Sequence, residues 1–224
     1  MRMRAFLLFL CCTTLALPSL SRAETEFYGG VESFRWADRD QGFTLTGPVW
    51  LVGAAARIRP PQSILSVELR AEGFSGEIED DGQAIRTDVQ GVKVLGDLGL
   101  AANLDQGVVL EPFAGLGVRW WEIDTDIGDE NWRSSFGRLG LRAKFSARNA
   151  PFQTTVEAGA RFPLGTRVHN DDGTFHPEEE VTPFAEISFR SDMLKVAMFY
   201  EKLRFSDLNI DNEMFGVRLG VAFR

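Results

Sequence analysis

From Phe152 to Leu164 the chain alternates between two kinds of side chain, one residue at a time. Phe152, Thr154, Val156, Ala158, Ala160, Phe162 and Leu164 fall on one face of an extended segment, and Gln153, Thr155, Glu157, Gly159 and Arg161 on the other. A period of two marks a β-strand whose faces meet unlike surroundings. The pattern recurs along the chain. Leu65, Val67, Leu69 and Ala71 oppose Ser66, Glu68, Arg70 and Glu72, and Leu139, Leu141, Ala143 and Phe145 oppose Arg138, Gly140, Arg142 and Lys144. Near the end, Phe215, Val217, Leu219, Val221 and Phe223 oppose Met214, Gly216, Arg218, Gly220 and Ala222. Beyond residue 23 no segment has a convincing helical period or an apolar run long enough for a membrane helix.

A soluble β-sandwich also alternates, so the remaining features must decide. The polar face carries charge and glycine at strand centres, as the inside of a closed barrel with lipid-facing outer side chains would. The segments are mostly 10 to 15 residues long, which suits a tilted membrane strand needing about 9–11 residues in the hydrocarbon. The connectors also alternate in length. Strands over 25–36, 47–58, 63–73, 86–100, 108–121, 134–147, 152–165, 181–190, 193–204 and 213–223 leave long links at 37–46, 74–85, 122–133, 166–180 and 205–212. The intervening links are tight turns. The fold class is therefore all-β, a transmembrane antiparallel up-and-down barrel of ten strands. Eight remain an alternative because Gly29-Gly30 blurs the first strand and Pro112 interrupts the fifth. Trp50, Trp120, Trp121, Trp132, Phe136, Tyr28, Phe27, Phe205, Phe215 and Phe223 lie near strand ends, where interfacial girdles form.

Residues 1–23 read as a separate element. Arg2 and Arg4 precede an apolar run from Ala5 to Leu17, and Ser21 and Ala23 close it with a small-x-small pattern. This is the layout of a secretory signal peptide cleaved after Ala23, leaving 24–224 as one barrel domain. Cleavage removes Arg2, Arg4, Arg22 and no acid, so the formal charge passes from -8 to -11. That balance argues against a general nucleic-acid binder. The only cysteines, Cys11 and Cys12, leave with the leader, which excludes disulfides and thiol chemistry in the mature chain.

A leader, cysteine-free amphipathic strands and a closing strand with a penultimate aromatic together resemble bacterial outer-membrane β-barrel proteins. Gly216, Leu219, Val221 and Phe223 look like the C-terminal assembly signal of that family, although Arg224 follows the aromatic. The resemblance implies a monomer in the outer membrane of a Gram-negative-type bacterium, inserted by the barrel-assembly machinery. Outer-membrane lipid and lipopolysaccharide are the implied partners.

Within such a barrel the interior set is Glu68, Arg70, Glu72, Lys93, Asp97, Glu111, Arg119, Arg138, Arg142, Lys144, Glu157, Arg161, Glu186, Arg190, Lys195 and Arg218, with basic residues in excess. A barrel this narrow is largely filled by side chains. The expectation is a structural or surface-interaction protein with a largely plugged, charged lumen. A slender porin-like pore with weak anion preference is the alternative.

The predicted loops are acidic: Glu77, Glu79, Asp80 and Asp81, then Glu122, Asp124, Asp126, Asp129 and Glu130, then Asp171, Asp172, Glu178, Glu179 and Glu180. Asp124, Asp126, Asp129 and Glu130 are weak candidates for a loosely bound Ca²⁺ or Mg²⁺, although their spacing does not fit an EF-hand. No cofactor and no catalytic residue is expected. A second alternative is an outer-membrane hydrolase, a protease or lipid A-modifying enzyme using loop residues. Omptin proteases, which pair Asp-Asp with Asp-His at the outer rim, are the relevant comparison. His169 and His176 share a predicted loop with Asp171 and Asp172, but the chain is read as lacking the extra length that raises an omptin barrel above the membrane. Neither histidine falls on a predicted strand, as a lipid A deacylase would require.

Overall fold

The computed structural model describes residues 23–40, 42–60, 63–80, 86–105, 107–125, 128–146, 152–170 and 173–223. Apart from Ala23, the expected signal peptide lies outside these residues. The strands are β1 (Ala23–Asp38), β2 (Phe43–Ile58), β3 (Leu65–Asp80), β4 (Arg86–Leu100), β5 (Ala102–Asp105), β6 (Val108–Thr125), β7 (Gly128–Ser146), β8 (Gln153–Asn170), β9 (Gly173–Phe175), β10 (Thr182–Ser191), β11 (Leu194–Phe205) and β12 (Ile210–Phe223). All pairings are antiparallel. β12 closes on β1 and β8 on β10, giving a ten-stranded barrel without a free edge. Short β5 pairs only with β6, and short β9 folds back on the end of β8.

The strands run further than the alternation suggests. β3 continues to Asp80, β6 reaches Thr125 where β7 begins at Gly128, and β8 reaches Asn170. Four of the five links expected to be long loops are thus mostly strand, and half of 205–212 is. Eight of the ten wall strands have 14 to 19 residues, well beyond the roughly 9–11 that cross hydrocarbon. The expected lack of height is corrected by the same count: one end of the wall rises clear of a bilayer.

Along that wall the polarity of the two faces reverses. On β3, Leu65, Val67, Leu69 and Ala71 point out and Ser66, Glu68, Arg70 and Glu72 point in. Further up, Phe74 and Ile78 are buried inside while Ser75, Glu77 and Glu79 stand outside. β1 does the same, with Phe27 and Val31 outside below, then Phe34 and Trp36 inside and Ser33 and Arg35 outside above. The lower belt is unmistakably apolar: Leu69, Leu139 and Leu219 are 57%, 54% and 60% exposed, while the interior Glu111, Arg119 and Arg161 are 1%, 2% and 1% exposed. A soluble protein would bury the first set and expose the second; a barrel crossing lipid does the reverse.

Of the proposed girdle, Trp50, Trp120, Phe27, Phe215 and Phe223 do face outward. Tyr28, Trp121, Trp132, Phe136 and Phe205 point inward and are buried. Each lies an odd number of residues from an outward neighbour on its own strand, and proximity to a strand end does not fix which face a side chain takes.

Pro112 also finds its explanation. β6 pairs with β5 over Val108–Leu110 and with β4 from Phe113 onward. Pro112, outward and exposed, falls where the neighbouring strand changes, so its missing N–H interrupts no ladder on that side.

Candidate functional site

The interior of the membrane-level barrel is built in layers from the wall inward. Six inward glycines each sit directly opposite an aromatic residue on a neighbouring strand: Gly53 and Tyr28, Gly91 and Phe74, Gly117 and Phe136, Gly140 and Phe113, Gly159 and Phe184, Gly216 and Phe199. A Cβ on any of these glycines would meet the opposing ring at 2.4–2.7 Å, so each ring lies flat over the bare backbone. Arginines then cover the rings. The Arg161 guanidinium lies 3.7 Å from the Phe136 centroid, Arg218 3.8 Å from Phe199, Arg138 4.2 Å from Phe184, Arg119 4.6 Å from Phe74 and Arg142 5.0 Å from Phe113. Ring-face attraction holds these cations against the wall and leaves their N–H groups directed at carboxylates.

Arg142 is the hub. It donates to Glu157 and Glu111, each at 2.7 Å, and forms ion pairs with Glu68 at 3.1 Å and Asp97 at 3.8 Å. Arg138 pairs with the same Glu157 and with Asp97 at 3.6 Å. Arg70 joins Glu186 at 2.9 Å and Glu68 at 3.1 Å. Arg218 bridges Glu72 and Glu186, both at 2.9 Å. Glu201 takes Lys93 and, at 3.0 Å, Arg161. Lys195 pairs with Glu26 at 2.8 Å, Arg190 with Glu24, and Arg119 with Glu32 at 4.0 Å.

The structure places all sixteen charges read as interior on the inner face. It adds the bases' missing partners: Glu24, Glu26, Glu32, Glu179 and Glu201, together with Arg57. The charged zone therefore holds eleven acids and eleven bases among the described residues, and the expected basic excess disappears. Glu24, Glu26 and Glu32 share the parity of Tyr28 on β1, a signal hidden by Gly29-Gly30. Glu201 sits in Glu201-Lys-Leu-Arg204, where both faces carry charge.

Glu179 corrects the loop reading most directly. β10 is short, and residues 178–180 complete the wall beside β11, with Glu180 N–H donating to the Arg204 carbonyl at 2.8 Å and Ser206 N–H to that of Glu178 at 2.9 Å. Glu179 is thereby turned inward, where its carboxylate accepts from Thr166 at 2.6 Å and Ser134 at 2.7 Å and pairs with Arg161 at 3.0 Å.

Above this zone the interior is apolar. Phe34, Trp36, Leu45, Val49, Ile78, Val89, Trp121, Ile123, Trp132, Val168, Leu203, Phe205 and Ile210 form part of one buried cluster. Trp132 is its centre, 5.0 Å from Trp36 and from Phe205 and stacked on Trp121 at 5.4 Å. Among the charges below, small cavities of about 30 and 60 Å³ remain, the larger lined by Lys144, Arg57, Gln153 and Arg190 among others.

At the loop end, Asp126 lies outside the described residues, as do Asp81, Asp171 and Asp172. Asp124 stands opposite Asp129 in the β6–β7 register, and Glu130 accepts from Trp132 Nε1 at 3.0 Å. Among the described residues no group of three or more His, Cys, Asp or Glu side chains is placed to hold a metal ion. His169 meets the Thr174 hydroxyl at 2.9 Å, and His176 Nδ1 donates to the Thr166 carbonyl at 3.2 Å. On β12, Leu219, Val221 and Phe223 face outward in the belt, Gly216 faces inward, and the strand seals the barrel through pairs such as Phe223 with Thr25.

No protein-family model matches the sequence, and no curated protein does. Solved structures match across the whole barrel. The outer membrane protease OmpT from Escherichia coli aligns with a TM-score of 0.56 at 8% identity, covering 92% of this chain and 97% of that one. The translocator domain of the autotransporter NalP from Neisseria meningitidis aligns with a TM-score of 0.51 at 9% identity, covering 99% and 95%. At such identities the likeness is one of fold alone. With its closed wall, apolar belt and charged interior, this chain has the fold of a bacterial outer-membrane β-barrel, and that fold places it in the outer membrane.

Proposed function

We propose that this chain is a closed structural barrel with a surface-interaction role, not a conducting pore. The observation that carries the reading is the stacking of two unlike fillings along one axis. Balanced ion pairs occupy the membrane level, and the tryptophan-centred cluster stands above them. A path for hydrated ions would have to break both, and buried pairs separated from their partners cost several kcal/mol each. Equal numbers of acids and bases also remove the reason to expect anion preference. In this reading both termini and the short turns face the periplasm, the tall rim faces outward, and lipopolysaccharide and the barrel-assembly machinery are the partners. Planar-bilayer recording of the refolded mature chain tests it. Insertion without discrete current steps is the expected outcome, and stable steps in the unmodified protein would overturn it.

An enzymatic role draws less support. Among the described residues, His169 Nδ1 meets a threonine hydroxyl and His176 Nδ1 a main-chain carbonyl, where an acid–base pair requires a carboxylate; Asp171 and Asp172 lie outside those residues. Cleavage of a peptide or lipid A by the purified barrel, lost on replacing either histidine, would reverse that judgement.

A further inference from the structure

A β-bulge interrupts the β7–β8 ladder. Ser135 pairs with Gly165, but Phe136 pairs with Pro163, so Leu164 is an extra residue on β8. Below it Glu157 and Arg161 point inward; above it Thr166 and Val168 do. The bulge thus shifts the parity and turns Arg167 out of the barrel. There it lies directly opposite Arg133. Both are exposed.

Like charges directly opposite on adjacent strands are destabilising without a counter-charge. Other exposed bases at this end have one: Arg35 pairs with Glu213, Arg39 with Asp211, Arg86 with Glu77 and Arg204 with Glu180. Arg133 and Arg167 have no carboxylate within 4.0 Å among the described residues. Their height is also specific. Arg133 is opposite Trp120 and its guanidinium lies 5.6 Å from that ring. Trp120 and Leu164, at the upper margin of the apolar belt, are 40% and 65% exposed. The pair therefore stands just above the hydrocarbon, at headgroup level.

We propose that Arg133 and Arg167 clamp one phosphate of an anionic lipid headgroup. Two guanidinium forks can share a single phosphate, while the lipid chains lie along the exposed belt beneath. The proposal rests on the placement of this rim in the outer leaflet, and not on whether the interior conducts.

Native mass spectrometry of the refolded mature chain tests it, with diphosphoryl lipid A as the probe. The unmodified protein should retain one lipid through detergent removal. Retention by R133Q/R167Q should fall about tenfold, and R35Q should match the unmodified protein. The fully dephosphorylated lipid should not be retained, and excess inorganic phosphate should not displace the phosphorylated one. Folding is read independently from heat-dependent gel mobility. If the glutamine pair does not fold, R133K/R167K decides, with retention between the two extremes. Undiminished retention in the substituted barrel would overturn the clamp. Displacement by inorganic phosphate would overturn the lipid as its occupant.

Discussion

The two halves of this barrel are made from the same strands with opposite rules. Below the level of Trp50 and Trp120 the outside is apolar and the inside charged; above it the outside is charged and the inside apolar. The β3–β4 and β6–β7 ladders run unbroken through the change, so a break in the backbone does not set it. The solvent does. Lipid accepts leucine and rejects arginine, so the lower half must satisfy its charges internally. Water surrounds the upper half, where burying Trp132 and Phe205 is favourable for the same reason as in any soluble core. The height at which the sign of the alternation reverses is therefore a reading of the membrane boundary.

The strongest way to break the comparison is to remove the central residue of each half's filling. Arg142→Met strips the shared partner from Glu68, Glu111, Glu157 and Asp97. It should cost about 3–5 kcal/mol, because several buried carboxylates lose their counter-charge. Trp132→Ala in the upper half should cost a similar ~3–5 kcal/mol through a cavity. Equilibrium urea unfolding in lipid vesicles measures both. A loss below about 1 kcal/mol for Arg142→Met would mean that water reaches the network and screens it.

The outside gives the next largest effect. Leu141→Arg and Val156→Arg put a cation into hydrocarbon and should cost about 2–4 kcal/mol near the bilayer midplane. Thr155→Arg, on the inner face beside the larger cavity, should cost clearly less. Equal losses at all three positions in the same unfolding assay would refute the facing of β7 and β8. Inside, Gly216→Ala should cost about 1–3 kcal/mol by overpacking, since its Cβ would stand 2.5 Å from the Phe199 ring that carries Arg218. A neutral result would show that ring and arginine shift together.

The lower half was legible in the sequence because one rule, apolar out and charged in, holds over Leu65–Glu72, Arg138–Phe145 and Phe152–Arg161. The upper half was not, and the reason is physical. After Phe74 the alternation persists with its sign reversed, so Ser75, Glu77 and Glu79 read as a polar loop although they are the wet face of a strand. Glu179 was hidden differently. It lies in a run of three acids with no alternation, and only the shortness of β10 turns it inward beside Arg161. The six glycine–aromatic pairs need the register, which one strand alone does not carry.

The smallest effect locates the boundary itself. Ser75 is the first polar outward residue on β3 and lies opposite Trp50 and Gln90. If the hydrocarbon ends at the tryptophans, Ser75→Leu adds an apolar side chain to an already hydrated rung, and stability should change by no more than about 0.5 kcal/mol. If the bilayer reaches one rung higher, the same leucine enters lipid and should stabilise the barrel by about 1.5–3 kcal/mol. Glu77→Leu, a rung further up, should be near neutral in either case and serves as the reference. Measured in vesicles of two thicknesses, the pair separates a boundary fixed by the protein from one fixed by the lipid. A protein-fixed boundary leaves Ser75→Leu neutral in both, and a lipid-fixed one makes it stabilising only in the thicker bilayer.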